Sequence, residues 1–129
     1  MKVYHNFDAE ACMEIAKRSG VKQTEKDVAY TKFLAFHNPQ KIYVLRNDYC
    51  WLLGVNGGKK FRIIGIAIVL EEQRKGIGSI LLNKAIEDAR SKGYKKVTTR
   101  SKSGAEFYAR RGFDIVGIKD GDYLMELNL

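Results

Sequence analysis

The sequence predicts a mixed α/β (α+β) fold in which helices cover both faces of a mixed sheet. Three observations indicate this. Apolar stretches of strand length alternate with amphipathic stretches of helical period, short turn signals separate them, and no repeat or low-complexity segment interrupts the chain. The 129 residues suit a single domain, residues 1–129. Hydrophobic residues make up 45% and charged residues 29%, which excludes disordered and collagen-like chains.

Two helices are predicted after a short strand at residues 2–6. The side chain of Asp8 can accept a hydrogen bond from the first turn of one helix. Thr24 is expected to cap the next helix, with Asp27 at its third position in an arrangement close to a capping box. Pro39 ends that helix. The face expected to be buried carries, at helical spacing, Tyr30, Phe33, Leu34 and His37.

Three strands follow, at residues 41–46, 49–55 and 60–69. The last of them is apolar on both faces from Ile63 onward, so we expect it at the centre of the sheet. Gly65 lies within it and lacks a side chain, which predicts that another group approaches the backbone closely at this point.

The second half of the chain predicts two helices and three strands. They are a helix at 77–92, a strand at 95–100, a short helix ending at Gly112, and strands at 113–119 and 122–129. Ser103 and Glu106 have the spacing of a capping box for the short helix. Asp120-Gly121 is typical of a type I′ hairpin turn. The predicted order is therefore β-α-α-β-β-β-α-β-α-β-β.

We call residues 73–79 the glycine-rich loop; they read Gln73-Arg74-Lys75-Gly76-Ile77-Gly78-Ser79. Gly76 and Gly78 allow a tight turn and a close approach by an anion. Arg74 and Lys75 add positive charge at a helix start, where backbone N–H groups are unpaired, so the loop predicts a pyrophosphate site. A Walker A string is absent, and a dinucleotide fingerprint fails because Leu81 stands where its third glycine is needed.

Two motifs together resemble those of the GNAT N-acetyltransferase superfamily. Residues 73–78 fit that family's [QR]-x-x-G-x-[GA] signature, which follows its fourth strand. Residues 107–113, Phe-Tyr-Ala-Arg-Arg-Gly-Phe, fit its aromatic-Tyr pair on a short helix that ends in Gly-Phe. The resemblance is close from Phe61 to Phe113. It implies one GNAT domain with a mostly antiparallel central sheet, and an acyltransferase that moves the acetyl group of acetyl-CoA directly to a primary amine.

The resemblance also implies roles for individual residues. Tyr108 corresponds to the family's general acid, which protonates the departing CoA thiolate; an ordinary tyrosine, with a pKa of about 10, is protonated at neutral pH. We assign no general base, since Glu71, Glu72 and a water chain all remain open. No metal is implied. The residues expected to bind the cofactor are Ile66, Ala67, Ile68, Gln73, Arg74, Lys75, Gly76, Ile77, Gly78, Ser79, Ser101 and Phe107.

Other function classes remain open. The net charge of +8 favours anionic partners, so alternatives are a non-catalytic acyl-CoA-binding sensor and a basic nucleic-acid-binding domain.

We expect no membrane partner, because the longest apolar run, residues 63–70, is far shorter than the ~20 residues of a membrane span. The absence of a signal-peptide pattern and the presence of only Cys12 and Cys50, expected to be reduced thiols, predict a cytoplasmic protein. By analogy with the family, the last strands can pair in a homodimer.

Overall fold

Four α-helices and six strands make up the structure, a computed structural model that describes residues 1–129. In chain order they are α1 (Ala9–Arg18), α2 (Gln23–His37), β1 (Ile42–Arg46), β2 (Cys50–Gly57), β3 (Lys60–Ile68), α3 (Ile77–Ser91), β4 (Lys96–Ser101), α4 (Ala105–Ala109), β5 (Asp114–Lys119) and β6 (Asp122–Asn128). Apart from the first strand, this is the predicted order. No helix combines the length and the apolar composition that crossing a membrane requires.

The six strands form one sheet in the order β1-β2-β3-β4-β6-β5. All neighbours are antiparallel except β3 and β4, which confirms the mixed, mostly antiparallel sheet. The parallel pairing begins at Lys60 and Lys96 and ends at Ile63 and Thr99. On its other edge, β3 stays paired with β2 as far as Ile68. β3 and β4 therefore diverge beyond Ile63, and a gap opens through the sheet.

Two hydrophobic cores flank the sheet. On one face lies α3, which contributes Ile77, Leu81, Leu82, Ala85, Ile86 and Ala89. α1 and α2 cover the opposite face, where the fully buried Trp51 donates a 2.9 Å hydrogen bond from Nε1 to the carbonyl of Cys12. Truncating such a residue costs about 3–5 kcal/mol of stability, so Trp51 holds α1 firmly on the sheet. Ile63 is buried between its neighbours, which confirms the central position of β3.

The predicted strand at residues 2–6 is wrong. Only Tyr4 pairs, through an isolated bridge to Arg46 with N–O distances of 2.7 and 3.0 Å. Tyr4 is 47% exposed, and of this segment only Val3 reaches a core. A longer strand would have no buried face to fix its register.

The start and the buried face of α2 also differ from the prediction. The helix begins at Gln23, and the Thr24 hydroxyl donates to the carbonyl of Val21 at 2.7 Å instead of capping the helix. Tyr30 and Phe33 are 39% and 60% exposed, so the predicted apolar face is not the buried one. The buried residues are Thr24, Val28 and Thr31. These smaller side chains allow α2 to lie close to the sheet.

The turns around β4 and the last hairpin give one correction and one confirmation. Ser103 does not cap α4; Gly104 is the N-cap residue, and the Ser101 hydroxyl accepts a 2.8 Å hydrogen bond from the amide of Gly104. Ser101 thereby fixes the turn that the capping box was expected to fix.

At Asp120 and Gly121, which join β5 to β6, the φ angles are +52° and +82°, which confirms the type I′ turn.

Candidate active site

A cleft of about 1030 Å³ occupies the gap between β3 and β4. At its closed end the Thr99 hydroxyl donates to the carbonyl of Ile63 at 3.1 Å, where strand pairing stops. At its mouth Nε2 of Gln73 donates to the carbonyls of Ile68 and Ser19 at 2.8 and 2.9 Å. Gln73 thus ties the end of β3 to the segment between α1 and α2, and its amide nitrogen is used by the fold.

The backbone of β3 presents alternate residues to the cleft. The amide of Val69 donates to the carbonyl of Tyr49 at 3.0 Å, on the β2 side of the strand. Because backbone groups of successive residues point to opposite edges, those of Ala67 also face β2, and those of Ile66 and Ile68 face the cleft. Of the three predicted backbone contacts, the structure therefore presents Ile66 and Ile68 to a ligand and not Ala67.

The glycine-rich loop leaves a row of amides without protein partners. Gly76 adopts φ +80° and Arg74 φ +65°, which turns the chain sharply into α3. The amide of Ile80 is the first to bond back, to the carbonyl of Gly76 at 3.2 Å. Amides 74–79 donate no hydrogen bond within the chain. Together with the dipole of α3, they form a ready site for an anion.

Two positive charges beside this loop have no carboxylate partner. Arg74 and Arg111 make no salt bridge, whereas Lys75 is held by Glu72 at 3.0 Å. The Arg111 guanidinium lies 5.1 Å from the centre of the Phe107 ring, which fixes its position. The loop and the start of α4 enclose a second hollow of about 590 Å³ that adjoins the cleft. Arg111 lies inside the second motif, but that motif is defined by its aromatic-Tyr pair and its Gly-Phe end, so it assigns Arg111 no role.

Phe107 joins α4 to the start of α3. A β-carbon on Gly78 would lie 3.4 Å from two carbons of the Phe107 ring. These are ordinary van der Waals distances, so the Phe107 ring packs directly against the start of α3 at Gly78. This packing also orients the next residue, Tyr108, whose ring meets Phe107 edge to face at 5.2 Å.

Tyr108 lies in the wall of the cleft and is only 6% exposed. Burial raises the pKa of Tyr108 to about 12; the Thr99 hydroxyl opposes this rise and the Asp27 carboxylate adds to it. The phenol therefore keeps its proton throughout the physiological range. It can act as a proton donor and not as a base.

Asp27 is an ionisable residue of the cleft to which the sequence assigns no role in the site. It projects from α2 onto β3, where a β-carbon on Gly65 would lie 2.1 Å from Oδ2 of Asp27. The predicted close approach at Gly65 is thereby confirmed, and the approaching group is a carboxylate. Burial raises the pKa of Asp27 to about 7, although the positive charge of Arg62 opposes the rise. The local sequence indicates only a helix-cap position for Asp27, since its place in the cleft depends on the distant Gly65.

Glu71 and Glu72, which the sequence left open as bases, lie outside the cleft lining. Glu71 is exposed and bonded to Arg18, and its own backbone amide and the Arg18 guanidinium hold its pKa below the usual range. Glu72 is paired with Lys75. Neither carboxylate is placed to reach a substrate between β3 and β4.

The burial of Asp27 predicts a pH-dependent loss of stability. The pKa of Asp27 is about 7 in the folded chain and the ordinary ~3.9 in the unfolded chain. Protonated Asp27 therefore contributes its full stabilisation of the fold below about pH 4, and this contribution is lost as the pH rises to about 7. Relative to Asp27→Asn, the wild-type free energy of unfolding should fall by on the order of 2–4 kcal/mol over this window. Urea unfolding of both proteins at several pH values measures it; a constant difference would contradict the buried position.

Comparison with known proteins places this chain in a family. The sequence model of the Acetyltransferase (GNAT) family matches residues 9–113, from the start of α1 to the end of the second motif. The chain belongs to the GNAT acetyltransferase family. Members of this family use acetyl-CoA as the acetyl donor. No curated protein matches the sequence significantly.

Solved structures share the fold of this GNAT chain. A protein from Desulfovibrio desulfuricans, described as an acetyltransferase of the GNAT family, has a TM-score of 0.82 and 14% identity, with 98% of each chain covered. PaiA N-acetyltransferase from Thermoplasma acidophilum, solved with coenzyme A, has a TM-score of 0.77 and 18% identity over 100% of both chains. The ribosomal-protein-S18-alanine N-acetyltransferase from Escherichia coli has a TM-score of 0.77 and 17% identity, covering 98% of this chain and 92% of its own. Identities this low establish the common fold alone.

Proposed function

We propose that this chain is an N-acetyltransferase that moves the acetyl group of acetyl-CoA directly onto a primary amine. The observation that carries the proposal is the gap between β3 and β4, which has a row of unpaired amides at its mouth and a protonated phenol in its wall. An elongated substrate with a diphosphate at one end and a thioester at the other fits this arrangement.

The chain's own backbone would provide most of the cofactor contacts. The backbone amides of the glycine-rich loop would hold the pyrophosphate, and Arg74 and Arg111 would add positive charge. These amides belong to Arg74, Lys75, Gly76, Ile77, Gly78 and Ser79. The backbone groups of Ile66 and the amide of Ile68 would bond the pantetheine amides and so satisfy strand groups that β4 does not reach; the carbonyl of Ile68 already accepts from Gln73. Gln73, Phe107 and Ser101 support the site, because their contacts hold β3, α3 and α4 in place.

Tyr108 would complete the transfer by giving its proton to the departing thiolate sulfur. An ordinary thiol has a pKa of about 8.5. The burial that raises the pKa of Tyr108 would raise the pKa of the CoA thiol in the same cleft as well, because burial disfavours both anions. Donation of the phenol proton therefore stabilises the sulfur as the C–S bond breaks.

The acceptor can be found by mass spectrometry. The purified chain is incubated with acetyl-CoA and a panel of primary amines that includes amino acids, polyamines, aminoglycosides and peptides with free N-termini. We expect one class to gain the mass of an acetyl group while free CoA accumulates. Tight acetyl-CoA binding by calorimetry without CoA release from any amine would instead favour the sensor function.

Two further expectations belong to this proposal. Cys12 and Cys50 are free and buried, and burial raises the pKa of each thiol to about 11, which suits reduced thiols in a cytoplasmic protein.

A homodimer through the last hairpin is the second expectation, since β5 is an edge strand on which Ile115 and Ile118 are 53% and 69% exposed. Sedimentation measures the dimer directly; a monomer at all concentrations would contradict it.

A further inference from the structure

Asp27 has no partner within the chain although it is largely surrounded by protein. Its carboxylate takes part in none of the side-chain hydrogen bonds or salt bridges of the structure. Its carboxylate is nevertheless accessible from the cleft, because Asp27 lines the cleft. No side-chain oxygen that is fully enclosed by protein lacks a hydrogen-bond partner, so the unpartnered oxygens of Asp27 are not fully enclosed. A buried carboxylate without a partner destabilises a fold, so its presence at a cleft wall points to a ligand that pairs with it.

The position of Asp27 fits an acceptor and not the cofactor. α1 and α2 cover one face of the sheet, whereas α3, with the glycine-rich loop at its start, and Tyr108 lie on the other. The gap beyond Ile63 joins the two faces. Asp27 reaches this gap from the α2 face, where Gly65 leaves room for its oxygen directly against β3. A thioester held in the gap would thus have Tyr108 on one side and Asp27 on the other.

We propose that Asp27 holds the ammonium group of the acceptor and takes one proton from it before acetyl transfer. This inference rests on the proposed function and adds the residue that makes the amine nucleophilic. An amine with a pKa of about 10.4 is almost entirely protonated at pH 7, so its attack on a carbonyl carbon requires a group that removes a proton.

The proton balance of the step is closed. One ammonium proton passes to Asp27 and then to bulk water. The neutral nitrogen forms the new C–N bond, the C–S bond breaks, and the thiolate receives the proton of Tyr108. The second amine proton leaves nitrogen as the amide forms and restores the phenol. One amide, one CoA thiol and one released proton result.

Burial and the ionisable groups that face Asp27 together set the pKa of its carboxyl group. Arg62 of β3 favours the carboxylate, whereas burial favours the acid, and the result is a pKa of about 7. The other charged or titratable groups of the cleft lining are Lys26 and Tyr30 of α2, Tyr108 of α4, and Arg100 and Lys102 across the gap. Asp120 and Asp122 also line it but are paired with Arg100. α1 contributes no ionisable side chain to the lining.

The test compares wild type with Asp27→Asn, using acetyl-CoA and the most active amine of the panel. We expect kcat/KM for the amine to fall about a hundredfold at pH 7. Acetyl-CoA affinity by calorimetry should be unchanged. Asp114→Asn is the matched control, because Asp114 is exposed and forms no salt bridge, and it should behave as wild type.

The pH profile separates proton transfer from a structural role. In wild type, kcat/KM should level off above a pH of about 7, where Asp27 is ionised. In Asp27→Asn it should keep rising toward ~10, where the amine loses its proton unaided, so the deficit should shrink with pH. Arg62→Gln should move the acidic limb of the profile to higher pH, because Arg62 favours the ionised carboxylate.

The outcomes are distinguishable. If Asp27→Asn keeps the wild-type rate and profile while both proteins release CoA, the role of Asp27 is wrong and the acetyltransferase function stands. If wild type acetylates no amine, the proposed function fails and the role of Asp27 fails with it. NMR titration of the Asp27 carboxyl carbon in the acetyl-CoA complex gives a readout without turnover; a midpoint near the ordinary ~3.9 would also overturn the inference.

Discussion

Replacing Tyr108 with phenylalanine is expected to lower kcat by a factor between about 10² and 10⁴, the usual range for the loss of a general acid. The phenol is buried in the cleft wall, and burial raises its pKa to about 12, so it keeps its proton at neutral pH and can donate it. Phenylalanine keeps the ring contacts with Phe107 and Phe113 and removes only the hydroxyl. Steady-state kinetics with saturating acetyl-CoA and amine measure the loss.

A second tyrosine supplies the control for this substitution. The hydroxyl of Tyr94 donates to Oδ1 of Asn56 at 3.2 Å, away from the cleft. Tyr94→Phe removes a hydroxyl of the same kind and should leave kcat unchanged. Tyr108→Phe should also leave the KM for acetyl-CoA nearly unchanged, because the phenol acts only as the C–S bond breaks. A wild-type kcat in Tyr108→Phe would show that another group, or water, protonates the sulfur.

Replacing Gly76 with valine is expected to weaken acetyl-CoA binding about a hundredfold or more. Gly76 adopts φ +80°, a conformation that a β-branched residue strongly disfavours, so the loop must rearrange. The rearrangement turns amides away from the pyrophosphate, and each hydrogen bond to a charged group is worth about 1.5–3 kcal/mol. No protein atom lies within 4 Å of a β-carbon at this position, so the expected effect comes from the backbone conformation rather than from a clash of the β-carbon. Calorimetry with acetyl-CoA measures the affinity.

Gly93 provides a matched control at the other end of α3. It adopts φ +83°, and a β-carbon there also meets no atom within 4 Å. Gly93→Val should therefore reduce the stability of the fold by a similar amount, about 1–2 kcal/mol, without affecting acetyl-CoA affinity. Equal affinities for wild type and Gly76→Val, or equal losses in both variants, would contradict the role of the glycine-rich loop.

Local signals explain which parts of the fold could be predicted from the sequence. The Asp8 cap of α1 and the Asp120-Gly121 turn each depend on a few adjacent residues, and both are confirmed. The glycine-rich loop could be located for the same reason, since its glycines and cations stand next to the start of a helix.

Other features could not be predicted because they depend on residues far apart in the sequence. The face of α2 that packs on the sheet is set by the space available there, which small residues such as Thr31 and Val28 fill, and the aromatic spacing that includes Phe33 was misleading. The local sequence of Asp27 indicates only a position in a helix cap. Its carboxylate acquires its position and raised pKa only when Gly65 lies opposite.

The most direct measurement is a crystal structure of the chain with acetyl-CoA. We expect the pyrophosphate to accept hydrogen bonds from amides in the range 74–79, and the pantetheine to bond the backbone of Ile66 and Ile68. The thioester sulfur should lie within hydrogen-bond reach of the Tyr108 hydroxyl, with its carbonyl carbon open to the side of Asp27. A cofactor bound outside the gap between β3 and β4, or a sulfur remote from Tyr108, would contradict the proposed site.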